Sequence, residues 1–484
     1  MEYPVWVVPF LTAPMLIPLV AIPHVIVAQF AVGGGFLLAD GVAWAYRHNR
    51  RDALDYLRDL ARFFVLLTIV FGAITGVGIW WTIGLTSPES TSALIHVFVF
   101  GWATEWVVFV LEIVSAFAFY YLWDRLRPRE HMAMGWIYAA SAWLSLALIT
   151  GITAFMLTTG RWTPESNFFA AFFNPSFLPQ VLIRTGGSLA IAALWIGVHL
   201  SFRASEGLRD ELVPRISRWA IAGMFLILIG GIGYFAVLPD HARLNVIRAP
   251  LLLIMTALNF GATLTALAAF GLGYLRGGRW INPPEAILML LIGIVAITSG
   301  EFLREGARKP YRIERYIFSP GIRVAEAPRL QQDGLIAHSP WLQLYLRETM
   351  GLSEEELRDP ARLPEPQKVR VGEALYVYHC SACHALDGYN GMRPLIQPWT
   401  PEMLADAVRH LHRTNPAMPP WLGNEAEREA LLAYLIRHAI EQGKRVFDFL
   451  RGDEPYKFRF GAREVPLYRI VISRVGEGSA SAPL

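Results

Sequence analysis

The chain has 484 residues, of which 54% are hydrophobic and 17% charged, with a mean hydropathy of +0.37. A soluble globular protein carries ~25% charged residues, so most of this chain is built for a membrane. Its formal net charge is +3, from 43 Lys and Arg against 40 Asp and Glu, and the basic residues fall in inter-helix loops rather than one stripe, which excludes a nucleic-acid partner. Two cysteines, Cys380 and Cys383, exclude a disulfide-stapled scaffold and ask for one local explanation.

The start, Met1-Glu2-Tyr3-Pro4, lacks a basic n-region and runs into an apolar stretch, so no cleavable signal peptide is expected. The segment Val5 to Leu19 carries Pro9, Pro14 and Pro18 and reads as a lead-in at the membrane surface. Spans of about 20 apolar residues cross a bilayer as helices, and eight are expected, near 16–44, 60–85, 94–122, 132–158, 179–202, 218–238, 249–275 and 284–303. Arg47, Arg50, Arg51 and Arg58 follow the first span, Arg125 and Arg127 the third, Arg203, Arg209, Arg215 and Arg218 the fifth, Arg276 and Arg279 the seventh. Lys and Arg mark cytoplasmic loops, so both termini are expected outside.

After Glu305 the sequence turns Pro-, Arg- and Glu-rich. Residues 306–365 read as a linker with one short helix around Trp341 to Met350, residues 366–442 as a compact helical domain, and 443–484 as a tail that alternates around Tyr456 to Phe460 and Tyr468 to Ile472.

Cys380-Ser381-Ala382-Cys383-His384 has the spacing of covalent haem c attachment: two thiols one helical turn apart form thioethers, and the adjacent His supplies an iron ligand. A zinc half-site would need a second ligand pair, and the chain has no further cysteine. Met418, in Asn415-Pro416-Ala417-Met418-Pro419-Pro420-Trp421, offers a thioether on a proline-stiffened loop as the distal ligand. This stretch, closed by a helix over Glu425 to Arg437, resembles class I cytochrome c.

Ionisable groups inside spans default to function, with helix–helix polar bonding as the plain alternative. They are His24 in the first span, Glu105 and Glu112 in the third, His199 in the fifth, and Glu301 with Glu305 at the outer end of the eighth; His96 and His241 lie near the outer surface. A histidine facing a bundle interior is a ready haem b ligand, and a buried carboxylate carries protons or binds iron.

Several strings resemble subunit I of the cytochrome bd oxidases: Pro23-His24-Val25 with Val32-Gly33-Gly34-Gly35-Phe36-Leu37-Leu38-Ala39, then Phe71-Gly72-Ala73-Ile74-Thr75-Gly76, then Glu105 and Glu112 with Trp123-Asp124-Arg125-Leu126 and His131-Met132, then Phe173-Asn174-Pro175. The resemblance implies His24 on the active-site haem, with the two glutamates serving high-spin haems and protons, and it allows haem d there. For a low-spin haem b it implies Met255, while the family's histidine falls at Ile183 or Arg184; that haem is then either missing or re-ligated by a group such as His241 or His96. The family's Gly-Arg-Gln-Pro-Trp motif stands as Ala307-Arg308-Lys309-Pro310-Tyr311, and its upstream glutamate aligns with Thr298, leaving Glu301 as a stand-in. The loop Leu238 to Pro250 is too short for the family's quinol segment, which points to electron entry through haem c.

The expectation is an all-α protein of the bacterial or archaeal cytoplasmic membrane: a bd-oxidase-like haem domain over 1–305 joined to an outer cytochrome c domain. It carries one covalent haem c and one or more haem b. The expected function is respiratory electron transfer, either as a cytochrome c-dependent oxygen reductase subunit or as a non-catalytic, quinone-linked subunit. The expected partners are membrane lipid, other respiratory subunits, and a soluble or tethered cytochrome or a quinone.

Overall fold

The computed structural model describes residues 5–396 and 398–441; the tail expected over 443–484, and residue 442 at the end of the expected haem domain, lie outside the described residues. Among the described residues, eight helices are long and apolar enough to cross a membrane. They are α1 (Leu16–Arg47), α2 (Arg51–Thr86), α4 (Val99–Tyr121), α5 (Pro128–Phe155), α6 (Phe177–Arg203), α7 (Glu206–Val237), α9 (Pro250–Arg276) and α10 (Pro283–Arg308). Two shorter helices, α3 (Pro88–Val97) and α8 (Asp240–Arg248), lie between spans. Proline opens α3, α5, α9 and α10, where its missing N–H has no partner to lose, and arginine sits in the last turn of α1, α6, α9 and α10 beside the free carbonyls.

Two boundaries differ from the hydropathy reading. Helix α2 begins at Arg51 rather than near 60, because Arg51–Val65 is amphipathic: Tyr56, Leu57, Leu60 and Phe64 are buried while Arg51, Asp52 and Arg58 stay exposed. The third stretch, expected as one helix over 94–122, breaks at Phe98 (φ −114°, ψ 28°). Phe98 is fully buried, 5.2 Å edge-on from Phe155 and 6.0 Å from Phe168, so aromatic packing sets the break where composition shows none.

Helix α6 is the axis of the bundle. It packs against α1, α5, α7 and α10, and its Ile191, Ala192 and Leu200 join Phe30, Val42, Leu60 and Ala220 in one core. Outward, α4, α7 and α9 expose Phe100, Trp106, Phe225, Ile232, Ile254 and Phe260, a surface that lipid or another subunit would cover.

Beyond α10 a hairpin of β1 (Tyr311–Ile313) and β2 (Ile317–Phe318) pairs antiparallel. Glu314 at its turn fastens it to the loop after α5: the Glu314 N–H donates to the Met156 carbonyl at 2.9 Å, and its carboxylate accepts the Thr159 N–H at 2.8 Å. The segment expected as a linker is packed: Leu330, Leu335, Ile336, Leu342, Leu346, Leu357 and Leu363 share one core with Val371, Leu375, Leu404, Leu431 and Leu435. Apolar residues scattered through a polar stretch lack a single period, so composition alone hid their burial.

In that outer domain α11 (Pro340–Met350), α12 (Glu365–Leu375), α13 (Pro401–Arg409) and α14 (Glu425–Glu441) surround the cysteine loop. Helices α12 and α14 cross so closely at Gly372 that a Cβ there would lie 2.0 Å from the Ala430 carbonyl oxygen. Glu427, buried in α14, accepts N–H groups from Leu335 (2.8 Å), Ile336 (2.7 Å) and Asn424 (3.1 Å). It thus sews the 335–336 segment onto the terminal helix.

Candidate functional site

Helix α12 runs through a π-helical turn, Tyr376–Cys380, into the cysteine loop. The N–H groups of Cys383 and His384 both donate to the Cys380 carbonyl, at 3.0 and 2.9 Å, which sets both thiols and the imidazole on one turn. Both cysteines are unpaired and half-buried, and burial pushes the Cys380 thiol up to about 12. The His384 Nδ1–H donates to the Asn390 carbonyl at 3.0 Å, and the Tyr376 hydroxyl holds the His384 carbonyl at 3.0 Å. With Nδ1 so engaged, Nε2 keeps the lone pair that an iron ligand needs.

Met418 lies half-buried on its loop, whose backbone is tied by Met418 N–H to the Asn415 carbonyl at 2.9 Å. The loop closes on the turn that precedes the cysteines: Trp421 packs 5.1 Å from His379, whose pKa burial pushes down to about 4. His379, buried and with Nε2 unpartnered among the described residues, is a residue the sequence reading passed over.

In the bundle, His24 of α1 faces α2. Its Nδ1 is 3.0 Å from the Thr75 hydroxyl, which itself donates to the Phe71 carbonyl at 2.6 Å. Thr75 must then accept, so His24 carries its proton on Nδ1 and presents a bare Nε2. Gly76 stands beside the ring, where a Cβ would come within 3.3 Å of His24 Cε1, and Gly72 has open space where a side chain would be. A π-helical turn, Leu66–Phe71, immediately precedes this stretch; such turns recur at functional sites.

Glu105 accepts a hydrogen bond from Ser145 of α5 at 3.0 Å, and Glu112, two turns on, lies beside Tyr138 of the same helix. The Tyr138 hydroxyl donates to the Ala31 carbonyl of α1 at 3.1 Å, so one phenol joins the glutamate face to the His24 helix. Of the other histidines, His131 has both nitrogens committed, to Tyr46 and to the Phe119 carbonyl, each at 3.0 Å. His199 is held by Tyr56 at 3.1 Å and lies 3.6 Å from Asp59, and the exposed His96 bonds its own helix.

The outer ends of α6 and α10 hold a layer of charge. Glu301 is 2.9 Å from Arg304 and 3.9 Å from Arg184, so the carboxylate expected as an iron ligand is engaged by two guanidinium groups. Glu305 is shared by Arg308, by Arg312 at 3.1 Å and by Lys309 at 3.6 Å. His241 on α8 stacks edge-on to Tyr311 at 5.3 Å and leaves its buried Nε2 unpartnered. Met255 is half-buried on α9, outside this polar network.

This layer meets the cysteine loop. Lys309 Nζ is 3.6 Å from Cys383 Sγ. The lead-in crosses the same loop: the Tyr389 N–H donates to the Phe10 carbonyl at 3.0 Å, and Gly388 (φ +96°) lies so close that a Cβ would be 2.3 Å from that oxygen. Sequence reading placed the lead-in at the membrane surface, and no periodic signal announced its contact with residues 388–389.

Residues 15–246 match the family model of cytochrome bd terminal oxidase subunit I, and residues 367–435 that of cytochrome c oxidase, cbb3-type, subunit III. The first match covers α1 to α7 and most of α8, and stops before α9. A short stretch, 428–458, matches an acetyltransferase (GNAT) domain model; its described part is helix α14, packed inside the outer core. The structure of bd oxidase from Geobacillus thermodenitrificans is similar in fold, with a TM-score of 0.54 and 16% identity over 62% of this chain and 87% of that chain. No curated protein matches the chain. The fold and its two modules define a multi-pass membrane electron-transfer protein that binds haem. The chain joins a cytochrome bd subunit I-like bundle to a C-terminal cytochrome c domain, and its function is membrane respiratory electron transfer.

Proposed function

We propose that the protein passes electrons between one haem c, held by Cys380, Cys383, His384 and Met418, and a haem b held by His24, as a subunit of a cytochrome c-dependent oxygen reductase. The observation that carries this reading is the seat of the cysteine loop on the outer end of the bundle, with Lys309 3.6 Å from Cys383. The donor sets fit the groups: two free thiols and a bare imidazole nitrogen outside, and a bare imidazole nitrogen beside two side-chain-free glycine positions within. Haem, when bound, supplies one-electron chemistry at iron, and thioether ligation raises its potential.

The chain's own residues do the rest. Thr75 and the Asn390 carbonyl fix the tautomers of His24 and His384, and Lys309 keeps a positive charge beside the attachment loop. Glu105 and Glu112 hold protons in the bundle, with Tyr138 fixing the face they share. The arginine-bearing loops after α1, α4, α6 and α9 lie at the bundle end away from the outer domain, which supports an extracytoplasmic haem c. For any second haem b the reading uses His241, with Met255 as the candidate partner, rather than the ion-paired Glu301. Haem d at a site served by Glu105 or Glu112 is the variant that pigment extraction tests.

A second reading, a non-catalytic electron-transfer subunit of a larger complex, is favoured by Arg184, which pairs with Glu301 where the resemblance implies a haem ligand. Pyridine haemochrome spectra of the purified chain, followed by oxygen uptake with a reduced cytochrome donor, separate the two. One c-type and at least one b-type haem with uptake support the first reading. Intact haems without uptake support the second, and absence of b-type haem overturns both.

A further inference from the structure

A cavity of about 40 Å³ lies between the outer domain and the bundle, against the ~10–15 Å³ that one water needs. Its walls include Trp6 of the lead-in, Ser87 and Ser90 at the start of α3, Arg312 of β1, and Ser381 and Ala382 of the cysteine loop. Three of the lining residues each carry a buried polar atom with no hydrogen-bond partner among the described residues: Ser87 Oγ, Ser90 Oγ and Arg312 Nη2. Ser90 and Arg312 are each 3% exposed, and a buried donor left unpaired is costly.

The charges around the cavity leave a positive excess. The Arg312 guanidinium shares Glu305 with Arg308 and Lys309, so three cations lean on one carboxylate. Glu89, the one acidic residue on the cavity wall, is already paired with Arg323 at 3.1 Å. Helix α3 starts at this wall: Ser87 is its N-cap and makes no side-chain cap, while Glu89 in its first turn already supplies the negative charge that a helix start favours. A water would satisfy the hydroxyls but would leave the charge uncompensated.

We propose that this cavity binds a small oxyanion of the phosphate class, held by Arg312, Ser87 and Ser90 at the back of the haem-attachment loop. The anion cross-links the outer domain to the bundle and adds negative charge next to haem c. The site stands on its own geometry, and only one of the two readouts below rests on the haem c reading.

The test uses the full-length, haem-loaded protein in detergent, titrated with inorganic phosphate against chloride at matched ionic strength. Expected are a saturable rise in thermal midpoint and a saturable fall in the haem c midpoint potential, since negative charge favours ferric iron. Ser87→Ala with Ser90→Ala, which removes no charge and fills no space, weakens phosphate binding about tenfold with the haem spectrum unchanged. Arg312→Gln weakens it further, and if that variant fails to fold the serine pair still decides. In lipid discs, a potential already lowered by phosphatidylglycerol but not by phosphatidylcholine identifies a lipid headgroup as the source; equal potentials that phosphate then lowers identify the free ion. A thermal shift without a potential shift keeps the site and counts against the haem c reading. No saturable response, or the same response in the serine pair, overturns the site.

Discussion

Glu427 in the outer domain and the two glutamates at the end of the bundle are neutralised in opposite ways. In the outer domain the carboxylate of Glu427 is met by three backbone N–H groups, and no side-chain cation is needed to neutralise it. At the end of the bundle, Glu301 and Glu305 are surrounded by Arg184, Arg304, Arg308, Lys309 and Arg312, and guanidinium atoms of Arg308 and Arg312 remain unpaired. The first arrangement fixes a frame through dipoles that stay put. The second stores a positive potential next to the cysteine loop. One region therefore sets geometry, and the other sets electrostatics for whatever reacts beside it.

The contrast can be broken most completely from the outer side. Cys380→Ala with Cys383→Ala abolishes covalent haem on a haem-stained denaturing gel, while the bundle keeps its non-covalent pigment; covalent haem surviving in the double variant ends the c-type assignment. The reciprocal change, His24→Ala, removes b-type haem from the haemochrome spectrum and leaves covalent haem intact. Normal b-haem content in that protein moves the iron to another histidine.

Met418→Ala sharpens the comparison within the outer domain. Loss of a thioether ligand lowers the haem c potential and removes the far-red charge-transfer band of a Met–iron bond; persistence of that band excludes Met418. Next comes acid stability. Burial holds His379 at about 4 in the folded state, below the ~6.5 of an unfolded chain, so the unfolded state binds more protons between those values. The stabilisation is complete above ~6.5 and is lost as pH falls toward 4, by about 3 kcal/mol in all. His379→Phe should flatten the thermal midpoint of the outer domain over that window, and an unchanged pH profile would clear His379 of the role. The smallest effect belongs to Arg323→Ala, whose ion pair with Glu89 of α3 is half-exposed; the expected loss is ~0.2–1 kcal/mol, read as a small fall in the same midpoint.

The two regions also differ in how much of them was legible in the sequence. The cysteine loop, its histidine and the proline-flanked Met418 stand in short contiguous strings, so the expectation of haem c could be framed from spacing alone. The eight spans were legible from length and composition, because a bilayer leaves a backbone few options. What stayed hidden is tertiary. Phe98 breaks the third span through contacts with Phe155 and Phe168, distant in sequence. Thr75 and Tyr138 were ordinary residues until the fold set them against His24 and Glu112. Arg184 stood out only as a departure from a resemblance, and its pairing with Glu301 needed α6 and α10 side by side.

The clasp between Phe10 and Gly388–Tyr389 bears on biogenesis. A ribosome makes Phe10 before the eight spanning helices and Tyr389 only after them. The lead-in must wait, without its eventual neighbour, until residues 388–389 have been made and folded. On the proposed haem c reading, attachment at Cys380 and Cys383 takes place either before the lead-in closes over that loop or against it. Insertion of the helices and folding of the outer domain thus acquire an order, and closure of the clasp comes last.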